Sequence, residues 1–554
     1  MAYRFKTGLR FSVCWYLTIV RSKRGTLNNA IRVCLLVRCH AQEFRLTASA
    51  YMLRLTILLI ATFVAQQANV ATAAPNVLVI CADDHAAYVT GTYGNKQVRT
   101  PNIDRLAAGG IRFERAYCNS PVCTASRQSF FTGRYPRTIG VTQLKTALPD
   151  SEVTLAETLD RAGYATAGIG KMHFNSDLKH GFALRIDTPE HRAWLAQKKG
   201  DATLFREGEG TKKDSRPLFQ PAWRPFKDPA RIWLNADALP IAQADALMEG
   251  TFFARQAAEY LEQPRDKPFF LMVSFYEPHS PFRFPLEYRG RHRAAEFVAP
   301  VPGPEDDAQI PAVFRELSPA DKQGIAAAYY TSVEYMDKNV GLVLDALEQS
   351  GQAQDTIVVY LSDHGYMLGQ HGRFEKHTSY EEAVRTPLVI RYPRRIGAGR
   401  VSRAFVELVD LVPTIHSLCG FPLAGPLQGR TLMPLLAGKT TKHRDHVVVE
   451  YAPNEEAMIR DEYWKLVYER GVVRRSDGYD TVGPLVPDRF RLYDLHQDPA
   501  EMHNVAADPA NTATLVRLRD LLIDHLAATA RDVAAVPQGD PLATLEYCVQ
   551  ARDE

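Results

Sequence analysis

The sequence predicts an α/β protein with a mostly parallel sheet flanked by helices, followed by a smaller antiparallel sheet. Three observations lead to this prediction. Short, continuous apolar runs at 76–80, 269–275 and 356–361 are typical of buried parallel strands. A long helical pattern over 320–349 places its apolar residues mostly on one face. From about residue 443, short alternating segments indicate antiparallel strands.

The composition is that of an ordinary globular protein, with 46% apolar and 23% charged residues in 554. The formal net charge of +3 is unevenly distributed. Residues 1–51 carry nine basic residues and one acidic residue, whereas from Pro75 onward 62 acidic residues outnumber 56 basic ones. An acidic main part argues against a broad nucleic-acid-binding surface, so we expect no nucleic-acid partner.

Residues 52–74 have the features of a secretory signal peptide. Arg54 precedes an apolar run at 55–65, and small residues follow at 71–74. The run is too short to span a membrane, so we predict a periplasmic or secreted protein without membrane association once the signal is removed. Residues 1–51 show no sustained periodicity of apolar residues. We interpret them as a mis-assigned extension before a true start at Met52, with an unusual bipartite targeting segment as the alternative.

Cysteines stand at positions 14, 34, 39, 81, 118, 123, 419 and 548. Their scattered spacing indicates neither a disulfide framework nor a zinc site. Bridges between Cys81 and Cys118, or between Cys419 and Cys548, remain alternatives at this point.

Two predicted strands end in acidic residues. The strand at 76–80 runs into Asp83 and Asp84, and the strand at 356–361 runs into Asp363 and His364. Ligands of open α/β sheets bind at such strand ends, and adjacent carboxylates repel each other unless a cation relieves them. A helix-capping aspartate with a solvated neighbour would explain either pair alone. Only tertiary folding can bring the two pairs together.

The stretch from Cys123 to Gly133 places a cysteine four residues before Arg127. We predict that Ser126 caps a helix whose first turn is 128–131. Cys123 would then lie beside backbone N–H groups that favour an anion. An isolated pair at this spacing is more often a small buried cysteine and a solvated arginine.

Lysine and histidine residues follow two further strands. In an extended segment Lys171 and His173 share one face, so both side chains would point into one pocket. Two prolines, Pro278 and Pro281, stiffen the turn that presents His279. Taken singly, each feature is more often polar surface.

The order of these blocks resembles the type I sulfatase family. The shared blocks are the Asp-Asp strand end, TPNIDRLA at 100–107, CTASR at 123–127, Lys-x-His, PHSPF at 278–282, and SDHG at 362–365 followed by Lys376 and PLVI at 387–390. The resemblance covers about Pro75 to Asp532 and includes YDL-x-x-DP-x-E at 493–501. The chain is similar to iduronate-2-sulfatase-like and choline-sulfatase-like bacterial members.

This resemblance implies an alkaline-phosphatase-like fold, with a catalytic domain over 75–440 and a C-terminal subdomain over 441–554. It implies hydrolysis of a sulfate ester on a sugar, an oligosaccharide, a glycosaminoglycan fragment or another small molecule. A formylglycine-generating enzyme would convert Cys123 to Cα-formylglycine, whose hydrate attacks sulfur.

The resemblance also implies a metal site. Asp83, Asp84, Asp363, His364 and an oxygen of modified Cys123 would hold one divalent cation. Three carboxylates are hard oxygen ligands, which favours Ca²⁺, with Mg²⁺ as the second choice. His364 stands where many members have asparagine.

The remaining roles follow from the same resemblance. Arg127 and His173 would position the hydrate, and Lys171 and Lys376 would bind sulfate oxygens. His279 would donate a proton to the leaving group.

Two other functions fit the same strings. One is a phosphonate monoester or phosphodiester hydrolase of the same superfamily. The other is a catalytically silent carbohydrate-binding relative. The presence of a suitable residue at every proposed site position argues against this second alternative. The irregular stretch from 177 to 242, with Trp194, Trp223 and Trp233, is interpreted either as substrate-recognition elements or as a plain surface excursion.

Overall fold

The computed structural model describes residues 74–198, 230–423, 425–470 and 490–553. The predicted N-terminal extension, nearly all of the predicted signal peptide, and Trp223 lie outside these ranges. Among helices of the described residues, none combines the length and apolar composition that a membrane crossing requires.

Eight strands form the large sheet, in the order β4-β3-β5-β1-β6-β7-β2-β8. They are β1 Asn76–Ala82, β2 Ile111–Tyr117, β3 Ala165–Gly170, β4 Leu184–Ile186, β5 Phe269–Ser274, β6 Thr356–Ser362, β7 Arg385–Arg391 and β8 Arg400–Glu407. Of these strands, β7 runs antiparallel to its neighbours β6 and β2, and the other pairings are parallel. The predicted mixed, mostly parallel sheet is confirmed.

Both faces of this sheet are buried, as the continuous apolar runs predict. Successive side chains of β1 point to opposite faces, so Val77 and Val79 join one hydrophobic core while Leu78 and Ile80 join the other. The α-helices of the described ranges are Pro101–Ala108, Cys123–Thr132, Pro136–Ile139, Leu155–Arg161, Thr188–Gln197, Ala230–Trp233, Glu249–Glu262, Ala312–Arg315, Pro319–Gln349, Glu381–Val384, Leu411–Cys419, Met433–Leu436, Thr512–Ala528 and Pro541–Val549.

The longest helix, Pro319–Gln349, begins where the sequence places a capping signal. Ser318 Oγ accepts a hydrogen bond from the Asp321 N–H at 3.2 Å, and Asp321 bonds back to the Ser318 N–H. The helix contributes Val333, Met336 and Val340 to the same core as Leu78. It therefore covers one face of the large sheet, as predicted.

A second, fully antiparallel sheet follows in the order β12-β11-β10-β9. Its strands are β9 Val447–Tyr451, β10 Glu456–Arg460, β11 Trp464–Glu469 and β12 Phe490–Asp494. Leu518, Leu522 and Leu526 of helix Thr512–Ala528 share a core with this sheet. The small C-terminal sheet is thus confirmed, and a domain boundary near residue 440 stays a prediction.

The five described cysteines, Cys81, Cys118, Cys123, Cys419 and Cys548, are all free. Neither of the two bridges left open by the sequence is formed.

Candidate active site

The sheet order explains why distant motifs meet. Strands β3, β5, β1 and β6 are neighbours and parallel, so their carboxyl ends lie along one edge. Lys171, Asp83 and Asp363 follow β3, β1 and β6 directly. Gly170 makes the turn into Lys171 with a φ of 84°, and a Cβ there would lie 2.0 Å from the Ser274 carbonyl oxygen. These strands bring both acidic strand ends to one place.

The helix that carries the cysteine starts earlier than predicted. It begins at Cys123, and Val122 is its N-cap residue. The predicted capping role of Ser126 is wrong because its hydroxyl donates to the Asp363 carbonyl oxygen at 2.5 Å. Cys123 therefore lies in the first turn of the helix, and its Sγ is 3.2 Å from His364 Nε2.

Arg127 is fully buried rather than solvated. Its Nε donates to Asp363 Oδ2 at 2.8 Å, and its Nη1 donates to the Lys171 carbonyl oxygen and to Ser274 Oγ, both at 2.7 Å. One guanidinium thus connects the ends of β6, β3 and β5. The alternative of an ordinary surface arginine is excluded.

Each lysine is paired with one carboxylate. Lys171 Nζ donates to Asp83, and Lys376 Nζ lies 2.7 and 2.8 Å from the two Asp84 oxygens. Burial raises the pKa of Asp83, but Lys171 and the other neighbouring basic groups together outweigh it, so the pKa is held well below its usual value. The carboxyl groups are therefore ionised at neutral pH.

The carboxylates, the thiol and one imidazole form a group that can hold a metal ion. One atom each from Asp83, Cys123, Asp363 and His364 lies within 4.8 Å of the others, and an overlapping group contains Asp84. The buried Asp83 Oδ1 has no hydrogen-bond partner among the described residues. An unpartnered carboxylate oxygen beside further oxygen donors fits a hard divalent cation.

The unmodified thiol is strongly polarised. Burial raises the pKa of Cys123, but Lys171 and Lys376 outweigh it and lower the pKa to about 6. Burial lowers the pKa of His364, yet Asp363 and Cys123 raise it to about 9. At neutral pH the thiol is mainly a thiolate beside an imidazolium.

A cavity of about 260 Å³ opens onto this cluster. Cys123, Lys171, His173, His279 and Lys376 all line it. Lys171 and His173 share this cavity as their spacing predicts, although His173 has a φ of 65° instead of an extended backbone. All ten predicted site residues thus lie in or against one site, while their individual roles remain predictions.

The sequence interpretation missed several residues of the site. Glu375 and His377 line the cavity on either side of Lys376, and Arg373 Nε donates to Glu375 Oε1 at 2.8 Å. Their positions next to a motif lysine were the available signal. Trp233, one of three tryptophans in the irregular stretch, also lines the cavity.

Glu277 is a further buried carboxyl group that the motifs do not include. It follows β5, its side chain is only 5% exposed, and its Oε2 has no hydrogen-bond partner among the described residues. Burial and the neighbouring Glu249 raise its pKa to about 7. The residue immediately precedes the PHSPF string, which was its only sequence signal.

Comparison with known proteins agrees with this geometry. The sulfatase family model matches residues 75–421, and a model of the N-sulphoglucosamine sulphohydrolase C-terminal region matches residues 369–528. The chain belongs to the sulfatase family. It is accordingly a sulfuric ester hydrolase with the alkaline-phosphatase-like fold.

Three similar proteins illustrate the range of this sulfatase's relatives. An arylsulfatase of Clostridium perfringens is 27% identical over 502 residues, covering 85% of this chain and 99% of the relative. An N-acetylglucosamine-6-O-sulfatase of Bacteroides thetaiotaomicron is 28% identical over 495 residues, covering 78% and 83%. The phosphonate monoester hydrolase of Agrobacterium radiobacter has a similar structure, with a TM-score of 0.68 and 25% identity over 82% of this chain and 96% of that one.

The two subgroups that the sequence resembles are also among its relatives. Mouse iduronate 2-sulfatase is 30% identical over 65% of this chain, and the choline-sulfatase of Rhizobium meliloti is 28% identical over 84%. The family prediction is confirmed.

Proposed function

We propose that this sulfatase cleaves its sulfate ester at Cys123 after a formylglycine-generating enzyme has converted that residue to Cα-formylglycine. The supporting observation is that a buried, polarised cysteine and two lysines line one cavity, and that three carboxylates lie beside the same cysteine. A silent binding protein would have no need of such a cysteine among paired buried charges.

The charges of the site suit a sulfate group and a metal ion together. Asp83, Asp84 and Asp363 would hold the cation with His364 and modified Cys123, and Ca²⁺ is the proposed ion because the donors are mainly hard oxygens. When bound, it would polarise the attacking oxygen and stabilise charge on the sulfate. The three carboxylates are balanced by Arg127, Lys171 and Lys376, so the site can accept a cation and an anionic ester at once.

The residues that line the cavity have roles consistent with their hydrogen bonds. Lys171 and Lys376 present ammonium groups that can bind sulfate oxygens. His279 Nδ1 contacts the Ser280 carbonyl oxygen, which makes Nδ1 the protonated donor. Its Nε2, 4.0 Å from Asp84 Oδ2, is then the atom that would carry the second proton of an imidazolium and deliver it to the leaving oxygen.

His173 and Arg127 hold the surroundings of the reacting group. His173 Nε2 lies 3.2 Å from Thr124 Oγ1, next to Cys123 in the helix. Arg127 fixes Asp363, one of the proposed metal ligands. We assign both residues to positioning the group formed from Cys123.

We propose a sulfated saccharide as the substrate and the periplasm or the exterior of the cell as the location. The similarity to an N-acetylglucosamine-6-O-sulfatase and to iduronate 2-sulfatase supports the saccharide. The signal-like stretch at 52–74 supports the location. The similarity to a phosphonate monoester hydrolase supports the second candidate, hydrolysis of phosphonate monoesters or phosphodiesters.

The test is co-expression with a formylglycine-generating enzyme, followed by mass spectrometry of the peptide containing Cys123. We expect the aldehyde, and kcat/KM on an aryl sulfate above that on the matching aryl phosphonate monoester. A chelator should abolish the activity, and Ca²⁺ should restore it better than Mg²⁺. A preference for the phosphonate would establish the second candidate. Full activity with unmodified Cys123 would refute the proposed mechanism.

A further inference from the structure

A second, larger cavity of about 710 Å³ adjoins the catalytic cavity. The two cavities share Trp233, His279 and Ser280. His279 is the proposed proton donor to the leaving oxygen, so the alcohol part of the substrate extends from its imidazole. A third cavity meets the catalytic one at Lys171 and His173 instead, on the side proposed for the sulfate. The larger cavity is therefore the one that adjoins the leaving group.

The walls of this larger cavity combine an aromatic ring with unpaired cations. Trp233 is half-buried, and Arg192 and Arg283 are exposed on the cavity wall. Neither arginine forms an ion pair with any residue that the structure describes. An indole packs well against the apolar face of a sugar ring, and a guanidinium binds a carboxylate or sulfate through two parallel hydrogen bonds.

Among the described residues, the acidic residues of the cavity form no ion pair with these arginines, although burial, which raises the pKa of Glu277, is partly opposed by the charge of Arg283. Glu249 Oε1 lies 3.8 Å from His191 Nδ1. Glu277 is buried in the wall, with one carboxyl oxygen lacking a hydrogen-bond partner among the described residues. A buried, unpartnered carboxyl oxygen in a cavity wall requires a polar partner, and a sugar hydroxyl can provide one.

We propose that this cavity binds the ring of a sulfated saccharide that carries a second anionic group. Trp233 lies against the ring, Glu277 bonds to a hydroxyl, and Arg192 and Arg283 bind the second anion, whether it is another sulfate or a uronate carboxylate. The proposal rests on the proposed function, because the role of His279 sets the direction of the leaving group.

The test measures saccharide binding by calorimetry, with the full chain carrying Cys123→Ala to prevent turnover and with Ca²⁺ present. Two probes share a 6-O-sulfate and differ at position 2: glucosamine 2-N,6-O-disulfate and N-acetylglucosamine 6-O-sulfate. A third probe, a 2-O-sulfated uronic acid disaccharide, provides the carboxylate. We expect one or both dianionic probes to bind about tenfold more tightly than the monoanionic one, as a charge-assisted guanidinium pair would give.

Arg192→Gln and Arg283→Gln, singly and together, should remove this preference. The matched control is Arg289→Gln, an exposed arginine outside the cavity lining, which should keep it. The probe that loses affinity identifies the second anion as sulfate or carboxylate. Equal affinity for all probes, no binding, or a preference that survives the double variant would overturn the proposal. Aryl sulfate hydrolysis by the matured wild type tests the proposed function separately, so the two failures can be told apart.

Discussion

Two clusters of buried charges in this sulfatase resemble each other in composition and differ in what they can do. The site cluster comprises Asp83, Asp84, Asp363, Arg127, Lys171 and Lys376. The inter-sheet cluster comprises Glu381, Arg460, Lys465 and Glu501, and it connects the small sheet to the segment that precedes β7. Both contain equal numbers of acidic and basic side chains, and both join segments that are distant in sequence.

The clusters differ in how completely their oxygens are partnered. In the inter-sheet cluster, Lys465 Nζ lies 3.0 Å from Glu381 Oε1 and 2.6 Å from Glu501 Oε1. Glu381 Oε2 accepts a hydrogen bond from the Tyr117 hydroxyl at 2.9 Å, and Glu501 Oε2 accepts one from the Glu381 N–H at 2.8 Å. In the site cluster, Asp83 Oδ1 has no hydrogen-bond partner within the described part of the chain, and Arg127 Nη2 is 3.7 Å away. Glu381 Oε1 and Glu501 Oε1 also lack a hydrogen bond among the described residues, but each lies within 3.0 Å of the Lys465 ammonium group. The site cluster therefore differs in the looser pairing of Asp83 Oδ1 and in containing a nucleophile.

Access to solvent does not separate the two clusters. Glu381 and Arg460 line a cavity of about 360 Å³, larger than the 260 Å³ cavity at Cys123. Buried charge beside a cavity is therefore insufficient evidence of catalysis. The incomplete pairing and the reactive residue indicate function, and the following variants test that distinction.

The largest expected effect is on catalysis, from Cys123→Ser. Because the matured residue carries no thiolate, the change removes no buried charge pair, but an unoxidised serine has no aldehyde hydrate from which the sulfate can be released. We expect kcat/KM on an aryl sulfate to fall by at least about a thousandfold, with the melting temperature nearly unchanged. Cys118→Ser, the same change at a buried cysteine five residues earlier, is the control and should retain activity. Comparable losses in both variants would show that the effect comes from packing.

The inter-sheet cluster should respond in the opposite way. Lys465→Met leaves Glu501 buried without its cation, so the free energy of unfolding should fall by about 3–5 kcal/mol. The kcat/KM of the folded fraction should match that of the wild type. Denaturant unfolding gives the first quantity, and Lys439→Met, at an exposed lysine, is the control. Loss of activity without loss of stability would remove the distinction between the clusters.

The sequence identified the site more completely than the inter-sheet cluster, for a physical reason. Each site residue follows a recognisable buried strand or lies in a distinctive string, so the local pattern alone assigns Asp83 and Asp363 to strand ends. Their proximity depends on the strand order β3-β5-β1-β6, which local patterns do not contain. The family resemblance replaced that missing information.

The inter-sheet cluster carried no comparable signal. Lys465 lies in a short alternating strand, where a lysine is expected to face water, yet its side chain is fully buried. The helix start at Cys123 was missed for a related reason. Ser126 has the ordinary properties of a capping residue, but its hydroxyl is used by the Asp363 carbonyl oxygen, 237 residues away. Long-range partners decided both cases.

The dependence of stability on pH is expected to differ between the surroundings of the two clusters, because a buried histidine lies behind the site cluster. His85 lies fully buried behind the site cluster, with Nδ1 2.7 Å from the Tyr360 hydroxyl and Nε2 2.9 Å from the Val89 carbonyl oxygen. Burial lowers its pKa from 6.5 to about 4. Because the folded state prefers the neutral ring, this stability is fully present above pH 6.5 and is lost as the pH falls toward 4.

Between pH 7 and pH 5 the wild type should therefore lose about 2 kcal/mol more stability than His85→Gln. The inter-sheet cluster should not contribute in this range. Burial raises the pKa of Glu381, but Arg460 and Lys465 outweigh it and hold the pKa below the usual 4.5. The exposed-site control Lys439→Met should accordingly keep the wild-type dependence of stability on pH between these two values. If the unfolding free energy of His85→Gln fell as steeply between pH 7 and pH 5 as that of the wild type, the effect assigned to the burial of His85 would be contradicted.

The smallest expected effect concerns a buried carboxylate that forms no ion pair with the cations of the described residues. Asp337, in the long helix, accepts the Ile103 N–H at 2.9 Å through Oδ1 and the Asn102 N–H at 3.1 Å through Oδ2. It thereby caps helix Pro101–Ala108, whose own N-cap residue Thr100 makes no such bond. Asp337→Ala should cost about 1–2 kcal/mol of unfolding free energy, a typical value for a lost cap.

Asp337→Asn provides the matched control for that substitution, because its amide oxygen can still accept one of the two N–H groups. Its loss, measured by the same denaturant unfolding, should be roughly half that of alanine. If both variants lost as much unfolding free energy as Lys465→Met does, hydrogen bonds alone would stabilise a buried carboxylate as strongly as an ion pair does. Incomplete ion pairing at Asp83 would then no longer distinguish a catalytic cluster from a structural one.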